Sequence, residues 1–329
     1  MFFRKRTTMH QGVSFYIMTY NQEAFAASAV EAAFAQDYPG LEIVISDDNS
    51  TDRTWDIIVE TVEKCQKNNP LNHTVRLNRN SENLGICNHI NKIVSLCTND
   101  IIVCSAGDDI SNPDRVSKSV AAFSDPEVML VSSLITYIDE NGKLITDRSN
   151  KRYETPAVIE NIVTGKALTV GCAIACRREC YNFLNRRPLP PECSYEDVIL
   201  ALRACLLGRI AQIKEPLVAY RISENSLTNF DKSSPAARQK KDAIIKHSYL
   251  AARAQLDDFE FFLSQFPDRR NAYRKIHKLL VDKVDRKLQS YWIIQYDLPT
   301  CLKLKLSALF KGKNFFRFLS EALKRFSGK

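Results

Sequence analysis

The chain has 329 residues, 45% of them hydrophobic, and a formal net charge of +8. That length and apolar content give a globular protein able to bury a real core, either one large α/β domain with an appendage or two ordinary domains. The opening residues MFFRKR lack a signal peptide's apolar core and cleavage site, and the longest nearly uncharged apolar run, VMLVSSLITYI, is too short to span a bilayer; both features place the chain in the cytoplasm.

Apolar runs alternate with helical patterns through the first half, which predicts a mainly parallel sheet with helices on both faces. VSFYIM (13–18) reads as a strand and EAFAASAVEAAFAQ (23–36) as the helix after it. LEIVIS (41–46) is a second strand, followed by a helix over 51–66 with Trp55, Ile58, Val59 and Val62 at helical spacing. HTVRLN (73–78) is a third strand, and a helix over 86–97 leads into DIIVCS (100–105), the fourth. These four make a doubly wound sheet.

Beyond them the pattern changes. VMLVSSLITYIDENGKLIT (128–146) predicts an antiparallel portion turning at Glu140-Asn141-Gly142, where Asn-Gly adopts positive φ readily. SYEDVILALRACLLG reads as a helix ended by Gly208, RIAQIKEPLVAYRI returns as strand, and after a polar loop the chain is helical from Ala236 almost to its end. The expected organisation is a tail over 1–11, one domain over 12–230 and a helical region over 231–329.

Ten cysteines scattered through strands and helices of a chain without an export signal read as reduced thiols. Cys172, Cys176 and Cys180 recur every fourth residue, a spacing that would put three thiols on one helical face. No CxxC pair or neighbouring histidine completes a zinc set, so they read as packing residues. His10, His73, His89, His247 and His277 are isolated and read as structural or surface residues.

In an open α/β sheet, ligands bind beyond the carboxyl ends of the strands. Three loops deliver polar groups to that edge: TYNQ (19–22), DDNSTD (47–52) and AGDD (106–109). Ser50 or Thr51 as a helix N-cap, with Asp52 in the first turn, accounts for part of the second loop and leaves Asp47 and Asp48 unexplained. In the third, Asn112 as cap and Pro113 as first helical residue leave Asp108 and Asp109 outside. Adjacent carboxylates at a strand end call for a compensating cation or donor set, so a divalent-metal or nucleotide role is weighed ahead of a solvated acidic loop.

VSFYIMTYNQEAF, LEIVISDDNSTDRTWDII, NRNSENLGICNHINKIV, CSAGDDISNPDR, SYEDVILALRA and LVAYRISENSLT occur in the order and approximate spacing of the bacterial family 2 glycosyltransferases, which the chain resembles over about residues 12 to 230. SAGDDI in particular looks like enzymes assembling O-antigen or capsular sugars. The resemblance implies the GT-A nucleotide-sugar fold and an inverting, metal-dependent transfer from a nucleotide-diphosphate sugar to a saccharide, lipid-linked acceptor. Matched by position, it implies that Thr19, Tyr20 and Asn21 surround the nucleotide base with Asp48 accepting a hydrogen bond from it. It puts Mg²⁺ or Mn²⁺ on Asp108 with Asp109 beside it, and makes Asp197 the catalytic base with Glu196 supporting the base or the acceptor. Read without the resemblance, Ser194 caps a helix whose dipole Glu196 and Asp197 complement. Two positions depart from the family's pattern, Ala106 where an aspartate is common and Ser223 where a histidine is common; both thin the metal shell, which water and phosphate oxygens can complete.

The charge excess is concentrated at the end of the chain. From Pro299 to Lys329 there are eight basic residues and one acid, Glu321. A uniformly basic surface would favour nucleic acid, whereas a basic tail interleaved with Phe315, Phe316, Leu319, Leu323 and Phe326 fits an interfacial helix on an anionic membrane. The same stripe equally fits packing on the protein or on a second subunit. Two other readings of the chain are a phosphate-receiving signalling domain, which is much shorter and needs a lysine that has no place here, and a non-catalytic membrane-associated sugar-nucleotide binder. An intact Asp197 speaks against the second.

Overall fold

A computed structural model describes residues 12–146, 151–223 and 235–295. The chain divides into two compact units, Met1–Asn229 and Phe230–Lys329. The tail stripe 315–326 and residues 1–11, to which the sequence assigns roles, lie outside the described residues.

The first unit is built on one sheet. Strand β1 (Val13–Thr19) leads to α1 (Ala26–Phe34), β2 (Glu42–Asp47), α2 (Thr54–Gln66), β3 (Thr74–Arg79), α3 (Ile86–Leu96) and β4 (Ile101–Ala106). Parallel neighbours need crossovers, and the three helices supply them, giving the parallel order β3-β2-β1-β4. The strands β1, β2 and β4 are buried along almost their whole length, the condition that makes VSFYIMT, EIVISD and IIVCSA near-continuous apolar runs. Phe15, Ile17, Ile43, Ile45 and Val103 pack in one cluster with Ala29, Val30 and Ala33 of α1 and Ile58 and Val62 of α2.

After β4 come β5 (Ile110–Ser111), α4 (Arg115–Ala122), β6 (Val128–Ile138), β7 (Leu144–Ile145), α5 (Lys151–Glu154), α6 (Ile159–Thr164), β8 (Ile174–Arg177), α7 (Arg178–Tyr181), α8 (Glu196–Leu207) and β9 (Arg209–Arg221). The sheet continues β4-β8-β6-β9-β5, with β7 paired to β6, for nine strands among the described residues. β8 runs antiparallel to both β4 and β6, while β9 is parallel to β6. The mixed sheet agrees with the sequence reading, and the turn at Gly142 takes φ 80°. Leu134 faces Pro216 where the β6–β9 register shifts, as a residue without an N–H requires.

Several local expectations need correction. α4 starts at Arg115 with Asp114 before it, because Asn112 is held in sheet contact, its N–H on Leu217 O and its amide on Pro216 O. α2 starts at Thr54 with Arg53, not Ser50 or Thr51, at its N-cap and no side-chain cap there; Asp52, one residue earlier, accepts the Thr54 N–H at 3.0 Å. No side chain caps α8, so Ser194 does not. Cys172, Cys176 and Cys180 share no helical face: Cys176 is in β8, Cys180 in α7, and Cys172 precedes β8, all three buried.

Among the described residues of this unit, Arg115 and Arg203 are each only 1% exposed. Arg203 donates to the carbonyls of Cys180, Tyr181 and Pro188, so its charge is met by main-chain oxygen.

The second unit is described as two antiparallel helices, α9 (Pro235–Gln265) and α10 (Arg274–Gln295). Tyr249 stacks on Tyr291 and Phe259 on His277, with ring centroids 5.1 and 6.0 Å apart. No helix among the described residues is long and apolar enough to cross a membrane.

Candidate active site

At the carboxyl ends of β1, β2 and β4, where strand order reverses around β1, the first unit opens into a cleft of about 1000 Å³. Asp48, Asp108 and Asp197, far apart in the chain, all line it. So do Thr19, Tyr20, Asn21, Asp109 and Glu196. Among the described residues, its lining contains no Lys or Arg.

The β1 and β2 loops interlock. Thr19 turns its hydroxyl inward to Ser46 O and Asp47, each 3.2 Å away. Asn21, with φ 50°, donates its N–H to Ser50 Oγ and accepts the Thr51 N–H at 2.9 Å; asparagine tolerates this left-handed backbone. Tyr20 is left 46% exposed, the member of TYN whose ring is free of the loop's own bonding. Asp47, which capping left unexplained, is fully buried and accepts the Ser50 N–H and hydroxyl, so its role is to hold this loop.

Asp48 is 3% exposed and organises a second segment. One carboxylate oxygen accepts from Asn80 at 2.8 Å and the Leu84 N–H at 2.9 Å, the other from the Gly85 N–H at 3.0 Å. His89 stands behind it, Nδ1 3.9 Å from Asp48 and Nε2 2.7 Å from Ser46 Oγ, and burial lowers its pKa. The histidine that the sequence left among structural or surface residues is thus a buried member of the cleft wall. Its signal was its place in the first turns of the helix after NLG.

The end of β4 is held from below. Gly107 passes so close to β1 that an added Cβ would lie 2.5 Å from Thr19 Cγ2 and 2.6 Å from Gln22 Oε1. Asp108 is half-buried, and burial raises its pKa despite Arg221 nearby. Asp109 is 2% exposed and differs from its neighbour: it accepts the Arg221 N–H at 2.9 Å, with the buried Cys172 thiol nearby. Burial, then the charge of Asp108, pushes its pKa up to about 8. Beneath it the buried Arg115 guanidinium donates to Ser111 Oγ, Cys104 O and Ile174 O. Arg221 donates to the carbonyls of Asp108, Asp139 and Glu140 and lies 4.6 Å from the Phe25 ring centroid. Neither arginine was singled out as a site residue in the sequence, where only their positions in NPDR and YR marked them.

Glu196 and Asp197 begin α8, opposite. Burial pushes the Asp197 pKa from 3.8 up to about 6, although Asp197 also accepts the Val198 N–H at 2.8 Å. Burial and then the charge of Asp197 raise Glu196 well above the usual carboxylate range. The two acids are therefore set apart: Glu196 keeps its proton while Asp197 is a carboxylate at neutral pH. The Glu196 carboxyl lies against Gly171, where a Cβ would displace it from its present position.

No group of three or more His, Cys, Asp or Glu side chains among the described residues forms a metal cage. The donor chemistry nevertheless suits a hard cation: a half-buried carboxylate at Asp108, raised by burial, in a lining without Lys or Arg. Mg²⁺ takes few protein ligands and fills its shell with water and phosphate oxygens.

Residues 14–184, more than half of the chain, match the family model described as glycosyl transferase family 2. An uncharacterized glycosyltransferase of Nostoc sp. is 24% identical over 75% of each chain. The Escherichia coli UDP-Glc:alpha-D-GlcNAc-diphosphoundecaprenol beta-1,3-glucosyltransferase WfaP is 45% identical over 60 residues, 17% of this chain and 24% of that one. Among solved structures, the mannosyltransferase PcManGT of Pyrobaculum calidifontis, in complex with GDP-Man and Mn²⁺, superposes with TM-score 0.55 at 18% identity, covering 98% of this chain and 89% of its own. S. aureus TarS 1–349 in complex with UDP gives TM-score 0.55 at 16% identity over 88% and 76%. These likenesses establish the fold.

Proposed function

The chain belongs to glycosyl transferase family 2, and we propose that it is an inverting transferase moving a sugar from a nucleotide-diphosphate sugar to a lipid-linked saccharide in bacterial surface polysaccharide assembly. The observation that carries this reading is the convergence of Asp48, Asp108 and Asp197 on one cleft. The ligands named for PcManGT and TarS support a nucleotide-sugar donor, and the diphosphoundecaprenol acceptor named for WfaP supports the acceptor class.

The exposed Tyr20 ring offers the base a flat apolar face. Asp48, with both oxygens engaged, fixes the segment at Leu84 and Gly85 on which the nucleoside rests, and its remaining lone pairs face the base. Asp108, with Asp109 beside it, would hold Mg²⁺ or Mn²⁺. When bound, such a cation would supply charge neutralisation for the diphosphate, which no Lys or Arg among the cleft's described lining residues supplies. Asp197 takes the acceptor hydroxyl's proton as that oxygen attacks the anomeric carbon. The bond to the diphosphate breaks on the opposite side, and the product inverts. Glu196, protonated, adds no second negative charge beside the attacking oxygen.

Family membership and the nine-stranded sheet speak against the phosphate-receiving domain, and Asp197 in the cleft speaks against a binder without turnover. The basic tail is proposed to reach the membrane that carries the acceptor, with the enzyme at the inner face of the cytoplasmic membrane. A thermal-shift screen of nucleoside diphosphates and their sugars tests the central reading. One base should raise the melting temperature, and only with Mn²⁺ present; no shift from any of them would contradict it.

A further inference from the structure

The wall of the cleft that continues from Asp197 has no assigned role, and its chemistry differs from the nucleotide side. Tyr137 on β6 and Tyr220 on β9 are register partners on adjacent parallel strands, so their side chains leave the same face of the sheet. Their rings meet edge to face, with centroids 6.0 Å apart at 87°. Two residues earlier on the same face, Ile135 and Val218 form a buried apolar base, against which Tyr137, Tyr220, Tyr153, Val170 and Ala106 pack. Tyr153 packs on the same apolar cluster, which sets the third ring beside the first two.

All three tyrosines are half-buried and line the cleft, so each presents part of its side chain to the cavity. The wall joins the base assigned above through Thr169, whose hydroxyl donates to the Asp197 carbonyl at 3.3 Å. It adjoins the cation side through Cys172, a member of the same cluster whose thiol lies near Asp109. Ala106 extends the apolar surface where a carboxylate would have interrupted it.

We propose that Tyr137, Tyr153 and Tyr220 form the saccharide acceptor's platform, taking the apolar C–H face of an uncharged pyranose and presenting its hydroxyl edge to Asp197. Rigid aromatic rings gain contact area at little entropic cost, and a pyranose has a face of C–H groups to match them. The Asp197 carboxylate, with no Lys or Arg among the cleft's described lining residues, sets the charge at the platform: a uronate or phosphorylated ring would be repelled where a neutral hexose or N-acetylhexosamine is not. The inference rests on the transferase reading for its orientation toward Asp197, and the platform itself can be tested apart from turnover.

The test is saturation-transfer NMR on the full chain with methyl glycosides of glucose, galactose, mannose, N-acetylglucosamine and glucuronic acid, with Mg²⁺ and the diphosphate selected by thermal shift. Wild type and the Tyr153→Phe and Tyr137→Phe variants should saturate the ring C–H protons of at least one neutral glycoside and not of the glucuronide. The double variant Tyr137→Leu/Tyr220→Leu keeps apolar volume but removes the flat faces, and should weaken that glycoside by about tenfold or more, with diphosphate binding retained as the sign of an intact fold. The proposal is overturned if the leucine variant binds within about twofold of wild type, if the glucuronide binds as well as the neutral sugars, or if no glycoside saturates the wild-type protein. Absence of diphosphate binding with glycoside binding intact would remove the transferase reading and leave the platform standing.

Discussion

Arg221 donates its backbone N–H to a carboxylate oxygen of Asp109 at 2.9 Å, across 112 residues of sequence. The guanidinium of the same residue then takes the carbonyls of Asp108, Asp139 and Glu140. The loop ending β4 is thereby fixed to β9 and to the β6–β7 turn, and the position of Asp108 follows from a residue that faces it from another strand. Arg221→Lys leaves one compact ammonium to replace a planar fork serving three carbonyls, and should cost about 2–3 kcal/mol of stability. Urea denaturation of the two proteins measures this, and equal midpoints at equal slope would show that Arg221 is not what fixes the loop.

Asp108→Asn keeps the size of the side chain and removes its charge. The affinity of the preferred nucleoside diphosphate, measured by calorimetry, should then become nearly the same with and without Mn²⁺. In the wild-type protein the cation should improve it by an order of magnitude or more, on the order of 1.4 kcal/mol per tenfold. A full Mn²⁺ effect in the variant would move the cation elsewhere.

Glu196→Gln resembles the protonated acid that burial and Asp197 enforce, so it should retain transfer within about fivefold. In both proteins the rate should fall as pH drops through about 6, because Asp197 works as the carboxylate and burial sets its pKa there. A pH–rate profile checks both statements; a hundredfold loss in Glu196→Gln would make Glu196 the ionised partner.

Asp197 also affects stability, with a definite sign. Its folded pKa of about 6 lies above the ordinary 3.8, so the native state holds the proton more tightly than the unfolded chain. The associated stability is complete below the ordinary pKa and is lost as pH rises through about 6. Asp197→Asn should consequently melt higher than wild type at pH 7.5 and lose that advantage near pH 4, the trade of stability for activity expected at a working acid. Differential scanning calorimetry at the two pH values reads the difference directly.

Much of the fold was legible because burial on both faces writes a strand as a continuous apolar run. VSFYIM, LEIVIS and DIIVCS each fall within a residue or so of β1, β2 and β4, whereas HTVRLN, on the edge strand β3, was legible by its alternation of Val75 and Leu77 with exposed polar residues. Helix starts were less legible. Asn112 and Pro113 form a good local cap signal, yet the β9 carbonyls at Pro216 and Leu217 bind Asn112 and delay α4 to Arg115. A tertiary contact outweighed a local preference. The acids of the cleft were visible as charges with no capping task. Arg221, Arg115 and His89 were not, because what distinguishes them is the carbonyl, hydroxyl or carboxylate each faces from a distant strand. The three tyrosines are dispersed over β6, α5 and β9, and only the register of β6 on β9 gathers the first and last of them.

The account depends most on Asp197 acting on the acceptor rather than on the donor. Transfer rate and donor affinity, measured on the same preparation of Asp197→Asn at saturating acceptor, separate the two. The rate should fall by at least about a hundredfold while donor affinity stays within about twofold of wild type. An unchanged rate, or a loss explained wholly by weaker donor binding, would contradict it.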